Sequence, residues 1–144
     1  MRDIIRVDTA TRKLILPEGL TVAGVAGDKF PQNLYFEVDR YIDGVDYRPQ
    51  ASSNYASKFE LKYINAGNVA YTISGGHSGG SGIEDTNYET VIVPFELPSN
   101  FFLAAGKVKF SLVLTRHQKN TPANVENIWQ SEIASLDVLE YIAV

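Results

Sequence analysis

At 144 residues, with 44% hydrophobic and 21% charged side chains, the chain is sized for one soluble domain with a core of its own. It has no cysteine, which excludes disulfides, thiolate metal sites, iron–sulfur clusters and a cysteine nucleophile. The net charge of −4, with thirteen basic residues spread along the chain and forming no clustered patch, argues against a nucleic-acid surface. No apolar run approaches the ~18 residues of a membrane span, and Arg2, Asp3 and Arg6 interrupt any secretory signal at the start.

Taken in order, the segments are strand-like. Ile4, Ile5 and Val7 open a first strand, and Thr9-Ala10-Thr11 turns it towards Arg12–Leu16, which Pro17 closes as an N-terminal hairpin. Residues 18–32 read as a long connection carrying a short strand at Leu20–Val25. Leu34–Tyr41 alternates, with Leu34, Phe36 and Val38 on one face and Tyr35, Glu37 and Asp39 on the other. Asp43-Gly44 is a turn signal, and Val45–Ser57 is expected to be a loop or irregular edge.

Phe59–Asn65 alternates cleanly, turns at Ala66-Gly67-Asn68 and returns over Val69–Ser74 as a second hairpin. The run GGHSGGSG (75–82), with five glycines in eight residues, reads as a flexible loop. Tyr88–Phe95 is the next strand, its end bracketed by Pro94 and Pro98, and residues 99–103 suggest a short helical turn capped by Ser99 or Asn100.

Lys107–Arg116 is the organising strand. Val108, Phe110, Leu112 and Leu114 share one face, Lys109, Ser111 and Thr115 the other, and Val113 on the polar face marks a central position covered on both sides. A polar turn is expected at His117–Pro122. Over 124–144, Val125, Ile128, Trp129, Ile133, Leu136, Leu139 and Ala143 fit helical spacing with Asn124 as a cap, while Ala134, Leu136 and Val138 alternate. A bulge would bring Trp129 and Ile133 onto one face. The two periods compete, and a strand is preferred because an all-β chain needs a last strand beside the central one. Together the segments predict an all-β domain spanning 1–144, an antiparallel two-sheet sandwich of jelly-roll or immunoglobulin-like kind with about eight strands.

Several motifs occur together in order: D-x-x-T-R-K-L-I-L-P (Asp8–Pro17), FEVDRYIDGVDY (Phe36–Tyr47), KYINAGN (Lys62–Asn68), GKVKFSLVLTR (Gly106–Arg116), and Trp129 followed by S-x-x-x-x-L-x-V-L-E (Ser131–Glu140). In this order the chain resembles the N-terminal domain of baseplate upper proteins from tailed phages and prophages of Gram-positive bacteria. The resemblance implies a β-sandwich that anchors a tail-tip or receptor-binding component to the baseplate core, as the N-terminal part of a longer tail protein. It implies a virion location after synthesis in the bacterial cytoplasm. The implied partners are other baseplate and tail proteins and further copies of itself, with a trimer natural at a tail tip. It also favours the strand reading for Trp129–Glu140.

Chemistry is sparse, and no enzyme, cofactor or metal site is expected. His77 and His117 lack a second ligand at metal spacing and read as solvated side chains. The glycine run lacks the lysine of a phosphate loop. Glu37, Asp39, Asp43 and Asp46 miss the spacing of a calcium loop, nothing draws Glu84 and Asp85 into a cleft, and no serine lies in a nucleophile elbow. The interface candidates are aromatic. Tyr41, Tyr47, Tyr55 and Tyr88 fall at strand ends or in loops, where rings stack on sugars, anchor protein contacts or simply cover sheet edges. Phe101 and Phe102 either plug one end of the sandwich or meet a neighbouring subunit. Two function classes follow: a baseplate assembly module, and secondarily a carbohydrate-binding sandwich recognising cell-surface glycans.

Overall fold

The computed structural model describes residues 3–27, 32–47, 55–75, 83–86, 89–118, 120–121 and 125–140. Its strands are β1 (Ile4–Asp8), β2 (Lys13–Ile15), β3 (Val22–Val25), β4 (Gln32–Asp39), β5 (Tyr41–Ile42), β6 (Val45–Asp46) and β7 (Tyr55–Ile64). They continue with β8 (Ala70–Ser74), β9 (Glu84–Thr86), β10 (Thr90–Leu97), β11 (Gly106–Gln118), β12 (Val125–Gln130) and β13 (Ala134–Leu139). The chain is nearly all-β. Among the described residues the only helical element is a 3₁₀ turn at Ser99–Phe102, and no helix is long and apolar enough to cross a membrane.

A first sheet runs β2-β1-β4-β10-β9, a second β3-β13-β11-β7-β8 with β12 also on β11, and β5-β6 form a separate ribbon. The two large sheets share one core, an arrangement compatible with a β-sandwich. Ile5, Val7, Phe36, Val38, Val93 and Phe95 come from the first sheet and Leu61, Tyr63, Phe110, Leu112, Leu114 and Leu136 from the second. The Phe36 and Phe110 rings meet edge-on across the join, centroids 6.3 Å apart. Burying a side chain of this size contributes roughly 1.5–3 kcal/mol.

β11 is central, as its alternation predicts. It pairs β7 from Lys109 to Gln118 and, on its other side, β13 and then β12. Val113 is buried on the outer face, in keeping with cover on both sides.

The pairing is mixed, which corrects the antiparallel expectation. β1 lies parallel to β4, and β13 parallel to β3. Parallel neighbours need a long crossover, and here the chain leaves the first sheet after β2, places β3 in the second, and returns as β4. The strand segments also outnumber the eight expected, because short pieces such as β9 complete sheet edges.

Local departures have local causes. Pro94 lies inside β10, opposite Tyr35, while β9 pairs as far as Ile92, so among the described residues no second strand calls on its missing N–H. The Val45–Ser57 stretch includes β6 and the start of β7. Asp43 and Gly44 form the tip of the β5–β6 hairpin with φ of 51° and 80°, the left-handed pair of a two-residue turn. The 3₁₀ turn begins after Pro98 with no side-chain cap. Asn100 instead accepts a hydrogen bond from the Tyr63 hydroxyl at its side-chain oxygen, and Asn65 donates to its carbonyl at 3.0 Å.

The C-terminal stretch is strand, interrupted at residues 131–133. The Ser131 N–H donates to the Leu112 carbonyl and its hydroxyl accepts from the Leu112 N–H, each at 2.9 Å, holding the ladder's place. Trp129 and Ile133 do not share a face: Trp129 is buried at 3% exposure and Ile133 is 70% exposed. β11 runs on through His117, which is buried rather than solvated in a turn; its Nδ1 lies 3.0 Å from the Gln118 carbonyl. His77 and most of the glycine run lie outside the described residues.

Candidate functional site

The aromatic candidates separate sharply. Phe101 and Phe102 are fully buried, with Phe101 5.0 Å from the Tyr63 ring and 5.1 Å from Phe102, so they plug the core. Tyr47 is buried too, and burial pushes its hydroxyl pKa up; the positive charges of Arg116 and Arg12 oppose the rise and Asp43 adds to it. Tyr55 is half-buried under the Arg116 guanidinium at 4.4 Å. Tyr41 is exposed, with Arg40 4.8 Å over its ring and that arginine paired to Asp46 at 3.3 Å. Tyr88 lies outside the described residues.

Tyr47 and Tyr55 share the Arg116 charge, and Tyr47 also feels that of Arg12. Arg12 reaches across from the β1–β2 turn, donates to the Gln130 carbonyl at 2.9 Å and lies 5.5 Å over Trp129. The Glu132 N–H donates back to the Arg12 carbonyl at 2.8 Å. Guanidinium groups on aromatic faces give rigid, partly dehydrated contacts. The Arg12 contacts therefore lock the two sheets together.

A more open surface lies on the outer face of the second sheet, where strand alternation turns every other side chain of β7 and β11 away from the core. Register sets Lys109 beside Ile64 and Lys62 beside Ser111 and Thr72. With Ile133 from the interrupted strand, these side chains line a groove of about 460 Å³. Ile64 is 42% exposed and Ile133 70%, and among the described residues no carboxylate pairs with Lys62 or Lys109. Exposed apolar side chains flanked by unpaired cations form a contact surface. The sequence signal for it was the Lys109–Ser111 alternation, which became a groove only once the neighbouring strand's register was fixed.

The opposite outer face carries a smaller hollow of about 330 Å³ lined by Arg6, Asp8, Thr9, Ile15 and Asp39. Arg6 bridges Asp39 at 3.0 Å and Glu37 at 3.4 Å, and the Thr9 hydroxyl donates to Asp39 at 2.8 Å. The Asp8 carboxylate caps the β1–β2 turn, accepting from the N–H of Ala10 at 3.0 Å and of Thr11 at 3.2 Å. Hydrogen bonding from Thr11, helped by Ala10 and the Arg6 charge, holds its pKa below the ordinary value.

The four acids weighed as calcium ligands are dispersed. Glu37 and Asp39 engage Arg6, Asp46 engages Arg40 and Asp43 sits at the hairpin tip. Glu84 and Asp85 lie in β9. Among the described residues no three His, Asp or Glu side chains converge as metal ligands would. Comparison of the chain with protein-family models and with curated protein sequences finds no match.

Proposed function

We propose that this chain is a non-enzymatic assembly module of a phage or prophage tail baseplate, anchoring a tail-tip or receptor-binding component to the baseplate core. The ordered motifs that resemble baseplate upper proteins supply the biological setting. The observation that carries the assembly role is the groove on the outer face of the second sheet, where Ile64 and Ile133 stand in water beside Lys62 and Lys109. In this reading the two large sheets form a jelly-roll or immunoglobulin-like sandwich, with the β5–β6 ribbon appended. Its rigidity lets shape and surface charge, rather than a moving part, select neighbours.

Carbohydrate binding is the alternative, and the tyrosines favour it less. A sugar platform needs exposed rings side by side, whereas Tyr47 is buried and arginines lie over Tyr41 and Tyr55. The test is location. Tail particles purified from the strain that encodes the chain, probed with an antibody against it, are expected to be labelled at the tail tip. Intact tails with no label, and the protein recovered only free of particles, contradict the proposal.

A further inference from the structure

We propose that copies of this chain dock face to face, the groove on the outer face of the second sheet receiving the β2-β1-β4 outer face of another copy. This rests on the assembly reading and names one partner, a second copy, together with the mode of contact.

The two faces complement each other in charge and in apolar placement. Among the described side chains on the outer face of the second sheet, Lys58, Lys62, Lys107 and Lys109 stand against Glu60 and Asp137, and Asp137 already pairs with Lys107 at 3.5 Å. On the outer face of the first sheet the balance reverses: Asp8, Glu37, Asp39 and Glu96 stand against Arg6 and Lys13. A protein of net charge −4 thus carries one cationic sheet face and one anionic sheet face. Apolar side chains match as well, with Ile64 and Ile133 exposed on the first of these surfaces and Ile15, 52% exposed, on the second. The hollow beside Ile15 holds the Asp8 and Asp39 carboxylates, acceptors for a lysine ammonium from the facing groove.

The outer face of a five-stranded sheet, with strands about 4.8 Å apart, offers roughly 24 by 20 Å, or about 480 Å² a side, below the footprint of standard specific interfaces, so the association is expected to be weak and transient. Because the two surfaces lie on opposite sides of the sandwich, the contact is head-to-tail. It grows as a stack and closes into a ring only if each step turns the next copy about a common axis.

The experiment is sedimentation of wild type and two folded charge-reversal variants, Lys62→Glu/Lys109→Glu and Glu37→Lys/Glu96→Lys, with melting curves as the check on folding. Wild type is expected to self-associate at about 0.02 M salt and to dissociate at about 0.5 M, where the Debye length shrinks from roughly 20 Å to under 5 Å. Each variant alone is expected to associate at least tenfold more weakly, and an equimolar mixture to recover association, since the reversed faces then meet opposite charge. A wild type that stays monomeric at every concentration overturns the inference. So do variants that associate as wild type does, or a mixture of folded variants that fails to recover. Tail-tip labelling that persists alongside any of these outcomes leaves the assembly reading standing and removes only this contact.

Discussion

Phe36 and Phe110 offer the sharpest test that the two large sheets face each other across one core. The rings come from β4 and β11, are 0% and 1% exposed, and meet edge-on at 76° with centroids 6.3 Å apart. Phe36 also meets Phe95 at 5.4 Å. Truncating Phe36 to alanine leaves a cavity bordered by both sheets and is expected to cost about 3–5 kcal/mol. For a chain of this length, with unfolding entropy of about 2.1 cal/mol/K per residue, that loss lowers Tm by roughly 10–17 °C. Domains of this kind hold only about 5–15 kcal/mol in all, so the quantitative work uses the milder Phe36→Leu, Phe110→Leu and the double variant. Urea denaturation of the four proteins forms a double-mutant cycle. The expected coupling is about 0.5–1.5 kcal/mol, the worth of an aromatic pair beyond its buried area. Additivity within ~0.3 kcal/mol, with each single variant clearly destabilised, would refute the contact and with it the shared core.

Other positions make further predictions. Gly75→Ala places a methyl 2.5 Å from the Val93 Cγ1 and 3.1 Å from the Phe59 Cβ, with the Phe59 carbonyl oxygen at 3.3 Å. Such overpacking costs about 1–3 kcal/mol in denaturant unfolding; a neutral result means the strand end is looser than described. The Tyr63 hydroxyl, buried and bonded to Asn100, has its pKa pushed up to about 12 by burial. A raised folded-state pKa means stability is full below the unfolded value of about 10 and is lost as pH rises through 12. Tyr63→Phe is expected to flatten that alkaline slope and to lose about 1 kcal/mol at pH 7; an unchanged slope places the hydroxyl in water. Asp8 runs the other way. Its lowered pKa contributes stability above the ordinary value of 3.8 and loses it as pH falls through the folded value. The Tm gap between wild type and Asp8→Asn is therefore expected to narrow below about pH 4, and a gap constant from pH 2 to 7 contradicts the cap.

Strand identity was legible wherever one face meets the core, because burial alternates with the pleat. Lys107–Arg116 and Phe59–Ile64 are the clearest cases. Strand partners were not. β1 finds β4 in parallel across a chain segment that visits the other sheet, and no turn residue announces such a pairing. The C-terminal ambiguity has a physical source: the interruption at 131–133 shifts the buried set from odd-numbered Trp129 to even-numbered Leu136, and that phase change imitates a helical period. His117 continues β11's ladder opposite Ala56 and is buried, against its appearance as a turn residue. The aromatic candidates were readable as residues but not as places, since burial of Tyr47 and exposure of Tyr41, six positions apart, depend on the β5–β6 ribbon. The groove was the least legible feature. It needs the exposure of Ile64 and Ile133, two apolar residues whose place no sequence period announces, and the side-by-side register of two lysine-bearing strands.

Solution mass separates assembly from glycan recognition. Light scattering across a wide range of protein concentrations, with and without a soluble cell-wall glycan preparation, separates the two. An assembly module is expected to show a mass that climbs above the 15.9 kDa monomer with concentration and is indifferent to glycan. A monomer at every concentration that binds the glycan contradicts the assembly role.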